Sequence, residues 1–252
     1  MRWSLEHDMM VRRVGAGPEV LWLHGLGGWS ASFDPIVAHP ALSGFSHVLP
    51  DLPGYGRSPW PAHPDDLARV ADRLAKWIGD RKPALIGHSM GGVLAHGVAE
   101  RIAVRAVVDV DSNLSRGDCT FSALAAAYSL DDFVAFGFST LRADVYENGR
   151  TDVSSRGYHA SMCAASPQVF HHHARELVAL SEPETRAAGL AALRAPLLFI
   201  AGVPDGICAR SRELLDQHGV PWVGIEPAGH CVFIDQPDAF AAAVAGFLGS
   251  LA

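Results

Sequence analysis

The chain has 252 residues, 49% of them hydrophobic and only 19% charged, with a formal net charge of −7. A composition this apolar excludes a disordered chain, and 25 glycines with 16 prolines exclude a coiled coil. The acidic balance argues against a nucleic-acid partner, which would favour a basic face.

The opening residues, MRWSLEHDMMVRR, mix charges and hold no apolar core, so no signal peptide is expected. No stretch has the uninterrupted apolar length of a membrane span, which predicts a soluble, cytoplasmic protein with no membrane partner. Trp3–Leu5 and Met10–Val14 read as a strand pair, joined to the rest through the turn Gly-Ala-Gly-Pro. Val20–His24, Ser46–Leu49, Ala84–Ile86, Ala106–Val110, Pro196–Ala201 and Pro221–Ile225 read as further strands. Their near-continuous apolar character predicts a mostly parallel sheet covered on both faces. Between them, Leu67, Val70, Ala71, Leu74, Trp77 and Ile78 mark the apolar stripe of one helix, and Phe240, Val244, Phe247, Leu248 and Leu251 that of another. The fold class is α/β, with helices on both faces of the sheet.

The rhythm breaks between Ser112 and Leu193, which hold no good strand. Leu130, Phe133, Val134, Phe138 and Leu141 fall there at helical spacing. The division predicted is a core of residues 1–111 and 194–252 with residues 112–193 as a helical lid inserted over the strands' carboxyl edge, where open α/β sheets place ligands.

Gly87-His88-Ser89-Met90-Gly91 follows an apolar strand and precedes an amphipathic helix. A G-x-S-x-G pattern alone is weak, but strand, sharp turn and helix are what a nucleophile elbow needs. His24-Gly25-Leu26-Gly27-Gly28 follows an earlier strand, and such a turn aims a backbone N–H at a developing oxyanion, with the Met90 N–H as second donor. Asp51-Leu52-Pro53-Gly54-Tyr55-Gly56-Arg57-Ser58 reads as a structural turn in which Asp51 and Arg57 tie the loop.

A serine hydroxyl needs an adjacent base, itself oriented by an acid. Asp205 and His230 lie on loops at the carboxyl ends of the strands 196–201 and 221–225, in the order Ser, acid, His. Asp111 and Asp109, at the end of the strand after the elbow helix, are rival acids. His24 and His88 read as packing residues of their turns. His171-His172-His173 looks like a metal cluster, but consecutive helical residues point in different directions, so no metal site is expected. The four cysteines (Cys119, Cys163, Cys208, Cys231) form no CxxC pair and no disulfide framework, and Cys231 reads as a small apolar neighbour of His230.

Together HGLGG, DLPGYGRS, GHSMGG, GVPD and AGH resemble the α/β-hydrolase family, in its small cap-bearing esterase branch, over nearly the whole chain. The resemblance implies an eight-stranded-type sheet, a triad of Ser89, Asp205 and His230, and an oxyanion hole from Leu26 and Met90. Serine at the elbow sets the chain apart from the dehalogenases and epoxide hydrolases, which resemble this pattern with Asp as nucleophile. Expected is hydrolysis of a small-molecule carboxylic ester, with no cofactor. On length and lid size the chain is similar to the pimeloyl-carrier-protein methyl ester esterases. Alternatives are C–C bond hydrolysis, lactone or thioester cleavage by the same triad, or a non-hydrolytic binding or cyclase member. Trp29, Phe121, Tyr128, Phe136 and Tyr158 are the candidate pocket residues; Phe133, Phe138 and Tyr146 are further lid aromatics.

Overall fold

A computed structural model describes residues 2–251. Eight strands form one sheet: β1 (Arg2–Glu6), β2 (Met9–Gly15), β3 (Glu19–Leu23), β4 (Ser46–Asp51), β5 (Ala84–His88), β6 (Ala106–Val110), β7 (Leu197–Asp205) and β8 (Trp222–Gly229). Their spatial order is β1-β2-β4-β3-β5-β6-β7-β8. The first two pairings are antiparallel and the rest parallel.

Alternation along β3 shows how one strand serves two cores. Leu21 and Leu23 face one side, where they meet α1 (Leu67–Ile78) and α2 (Met90–Arg101). Val20 and Trp22 face the other, packed with Phe33, Ile36 and the C-terminal helix. The helix α1 begins where the Asp66 carboxylate accepts the Arg69 N–H at 2.7 Å, and it buries the apolar stripe read from the sequence.

Between β6 and β7 the chain builds α3 (Thr120–Ala126), α4 (Phe138–Asn148), α5 (Val153–Met162), α6 (Pro167–Ser181) and α7 (Arg186–Ala191). A wider, π-type turn over Phe133–Gly137 runs into α4. Phe133 stacks on Phe170 of α6 with ring centres 5.8 Å apart, and Phe138 meets the same ring at 5.3 Å. The core closes with α8 (Ala209–His218) and α9 (Pro237–Gly249). Among the described residues no single helix is long and apolar enough to cross a membrane.

Two strands run further than their apolar runs. The pairing of β7 with β8 continues past an irregularity at Gly202/Pro204 to Pro204↔Ala228 and Asp205↔Gly229. The β6 pairing stops at Val110↔Ile200, so beyond that point β7 and β8 form a two-stranded ribbon. Proline is tolerated in such a bulged, partly unpaired stretch. Asp205 therefore closes a strand instead of lying in a loop.

Candidate active site

Ser89 has φ 55° and ψ −119°, a conformation costly for a non-glycine residue. It sits between β5 and α2, and its N–H donates to the Val110 carbonyl at 2.8 Å. The turn is possible because its flanks lack side chains. A Cβ at Gly87 would stand 2.6 Å from the Gly92 nitrogen, and one at Gly91 2.6 Å from the Leu23 carbonyl carbon. The strained turn lifts the hydroxyl away from strand and helix, into a cavity of about 280 Å³ at the carboxyl edge of the sheet.

The Gly25 turn lies directly against the nucleophile: a Cβ on Gly25 would come 3.1 Å from Ser89 Cβ. Leu26 lines the same cavity. Met90 opens α2, and the first N–H groups of a helix have no intrahelical acceptor. Beneath them His24 is fully buried. Its Nε2 accepts the Leu52 N–H at 3.0 Å, so Nδ1 donates to the Gly25 carbonyl at 2.9 Å. Burial lowers its pKa, which keeps the ring neutral. The Asp51 carboxylate accepts the backbone N–H groups of Ser30 (2.7 Å) and Arg57 (2.8 Å) and so ties the two turns together.

His230 follows β8 and lines the cavity with Ser89. Burial lowers its pKa, and the negative charge of Asp118 works in the opposite direction. Its ring packs at 4.7 Å, centre to centre, against that of His88, whose Nε2 reaches the His230 carbonyl at 2.9 Å. The elbow histidine is thus more than packing.

Four carboxylates lie on the segments near the base, and their partners differ. The Asp205 side chain is exposed, and it is not brought onto His230; its backbone pairs with Gly229, one residue before the base. Asp111 is buried, with both oxygens 3.1 Å from the Gly202 N–H. Burial, then the charges of Asp118, Asp109 and Asp235, push its pKa well above the usual carboxylate range. Asp118 Oδ2 accepts from the N–H groups of Leu114 (2.8 Å) and Ser115 (3.0 Å) and the Ser211 hydroxyl (2.5 Å), and Oδ1 from the Cys208 N–H (2.9 Å). Asp235 accepts from the Gly229 N–H (2.8 Å) and the Ser154 hydroxyl (3.0 Å). Asp118 escaped the sequence reading. The spacing Ser115-x-x-Asp118 shows a capping box, but nothing in the sequence ties it to Cys208, 90 residues on.

Asp109 stands apart, fully buried with its pKa raised to about 6, chiefly by burial and partly offset by Arg186 4.0 Å away. Cys231 is no rival nucleophile: burial, then the nearby carboxylates led by Asp235, push its thiol up to about 12.

Of the aromatic candidates, Phe121 and Tyr158 line the cavity, with ring centres 5.4 Å apart. Three others do not. Trp29 turns to the Arg57 guanidinium, 5.5 Å from its ring, instead of walling the cleft. Tyr128 packs on Phe133 and Phe136, and Phe136 is 50% exposed, because the π-type turn rotates the helix so that Phe133 and Phe138 take the inner face. Tyr146 is also exposed. His171, His172 and His173 diverge as their spacing requires: His171 Nε2 meets the Tyr128 carbonyl, His173 Nδ1 the Tyr55 hydroxyl, and His172 faces Glu176.

A family model described as the alpha/beta hydrolase family matches residues 20–243. The chain belongs to this family. A pimeloyl-[acyl-carrier protein] methyl ester esterase of Aeromonas hydrophila is 28% identical to this alpha/beta hydrolase over 96% of the chain and 100% of the relative. A solved hydrolase from Pseudomonas aeruginosa PA01 superposes with a TM-score of 0.77 at 22% identity, covering 98% of each chain. The enol-lactonase from Burkholderia xenovorans LB400 gives 0.75 at 20% identity, covering 98% of this chain and all of that one. At these identities the solved structures establish the shared fold, and the eight-stranded, mostly parallel sheet agrees with them.

Proposed function

We propose that this alpha/beta hydrolase is a serine esterase that cleaves small-molecule carboxylic esters through an acyl-enzyme. The observation that carries the reading is Ser89, held at positive φ on the wall of a cavity that His230 also lines. Ser89 Oγ attacks the ester carbonyl while His230 takes its proton, forming the Oγ–C bond. The N–H groups of Leu26 and Met90 hold the oxyanion. His230 then protonates the departing alkoxide as the C–O bond breaks, and later draws a proton from the water that releases the acid.

The acid is proposed as Asp205. The Asp118 carboxylate is already engaged by four donors, and Asp111 is buried with both oxygens turned to the Gly202 N–H. The Asp205 carboxylate is exposed, and its backbone pairs across the strands with Gly229, the residue before the base. Asp118 then acts through its field, favouring the imidazolium.

The lining includes Asp118, Asp152 and Asp235 but no Arg or Lys, beside the apolar walls of Phe121, Phe233 and Leu177. That chemistry suits a neutral ester with an apolar acyl or alcohol part, and helices 112–193 serve as the lid that selects it. The named activity of the Aeromonas relative supports ester cleavage; lactone cleavage is the second reading, favoured by the fold shared with the enol-lactonase.

A fluorophosphonate probe tests the reading directly. The protein is expected to be labelled once, at Ser89, and Ser89→Ala to lose both labelling and hydrolysis of p-nitrophenyl esters. Labelling that survives in Ser89→Ala sinks the assignment. Running lactones and thioesters beside the esters ranks the two readings.

A further inference from the structure

We propose that His88, the residue before the nucleophile, is a positioning residue that fixes the base by holding the backbone carbonyl of His230. The proposal rests on the esterase reading of Ser89 and His230. A carbonyl oxygen only accepts, so the 2.9 Å contact makes His88 Nε2 the donor and leaves Nδ1 as the bare nitrogen. Nδ1 faces the Gly25 turn, where a Cβ would stand 3.3 Å from it.

The geometry holds the two peptide units that flank the Gly229–His230 bond, one on each side. The Gly229 N–H is held by Asp235 at 2.8 Å, and the His230 carbonyl by His88. Between these two bonds lies the Cα that carries the catalytic imidazole. His88 is covalently joined to Ser89, so the base is referenced to the nucleophile through a single residue, not through the strands β6 and β7 that separate β5 from β8. Phe233 braces the arrangement, its ring edge-on to His88 at 5.1 Å.

The clamp also has to survive the reaction, in which His230 gains and loses a proton beside a second imidazole. A protonated His88 would repel the imidazolium at a ring separation of 4.7 Å. Burial, and next the neighbouring His230, lower the pKa of His88 to about 3, so the ring stays a neutral Nε2–H donor throughout the working range.

The test compares His88→Leu, which deletes the donor, with His88→Gln, whose amide reaches a similar position. Three measurements are made on each purified chain: thermal midpoint, kcat and KM on the best p-nitrophenyl ester, and the rate of fluorophosphonate labelling. A misplacement of about 1 Å costs about 100-fold in rate. His88→Leu is expected to lose kcat and labelling rate by about that factor with little change in KM, while His88→Gln recovers most of it. A fourth readout needs no activity: alkylation of Cys231, the residue after the base, resolved by peptide mass spectrometry, should speed up in His88→Leu and not in His88→Gln. Folded His88→Leu with unchanged kcat and Cys231 reactivity overturns the proposal, as does equal impairment in both variants. Should His88→Leu fail to fold, His88→Gln decides, because a large loss of kcat with its donor kept contradicts the clamp. An unlabelled wild type would instead remove the esterase reading on which the proposal stands.

Discussion

Gly91→Ala sets two effects of opposite sign against each other. Gly91 lies in the first turn of α2, and replacing a helical glycine by alanine normally gains about 1 kcal/mol. Here the new Cβ would stand 2.6 Å from the Leu23 carbonyl carbon and closer still to its oxygen, whereas carbon atoms normally approach no closer than about 3.5 Å. Helix and strand must therefore part by at least about 0.9 Å, and neither clashing group is the end of a flexible side chain. Overpacking costs about 1–3 kcal/mol and sometimes more, which outweighs the propensity gain. The expected net loss of up to about 2 kcal/mol lowers the thermal midpoint by up to about 4–8 °C. The same shift displaces Ser89, two residues away, so labelling should slow by about 100-fold. Gly246→Ala in α9 is the control: no atom lies within 4 Å of its Cβ position, so propensity acts alone and the midpoint should rise by about 2–4 °C. Circular-dichroism melts with labelling rates measure both. If Gly91→Ala melts with or above the wild type and labels at its rate, the close approach of α2 to β3 is wrong.

The acids can be separated by rate and pH. Asp205→Asn should cost about 10⁴ in kcat and Asp111→Asn far less; the reverse ranking moves the acid to the end of β6. The activity limb, kcat/KM against pH, should rise through the lowered pKa of His230, below the ordinary histidine value, and Asp118→Asn should move it to still lower pH, because Asp118 favours the protonated form; an upward move contradicts that. Arg186→Met strands the Asp109 carboxylate without its counter-charge, a loss of about 3–5 kcal/mol when that acid is ionised. The folded-state pKa of Asp109 is raised to about 6, so its contribution is full below the ordinary carboxylate value and is lost as pH rises through about 6. Urea melts should accordingly show the variant far more damaged at pH 8 than at pH 5, and an equal deficit at both refutes the pairing. Phe121→Ala and Tyr158→Ala should reorder acyl-chain preference by about 1–3 kcal/mol, while Phe136→Ser leaves it unchanged.

The sequence displayed what depends on local geometry. Gly87, Gly91 and the apolar strand before them announce the elbow, since a tight strand–turn–helix needs small flanks whatever surrounds it. The turn at Gly25 is readable for the same reason. What was illegible depends on distant partners or helical phase. The apolar runs end at Ala201 and Ile225, yet β7 and β8 pair on to Asp205 and Gly229, and the Asp205 side chain is exposed. One π-type turn at Phe133–Gly137 changes the helical phase within itself, with Phe136 exposed and Tyr128 packed on its ring. The partners of Asp118 come from residues 114–115 and 208–211, a juxtaposition that no spacing rule reports.

The register of the sheet also orders the assembly of the site in time. Leu85 pairs with Val107 across 22 residues, but Val107 pairs with Leu197 across 90. On chain-closure statistics alone the second pairing costs about 1.2 kcal/mol more than the first, and it must wait for the helices between to compact. The nucleophile belongs to the half of the sheet joined by short loops, and the base to the half joined by the longest. An opened form with β7 and β8 detached would keep the elbow and its amide protection while losing all reactivity. Hydrogen exchange at Ile86 and at Ile225 should therefore report different opening energies, and loss of activity on mild denaturation should follow Ile225.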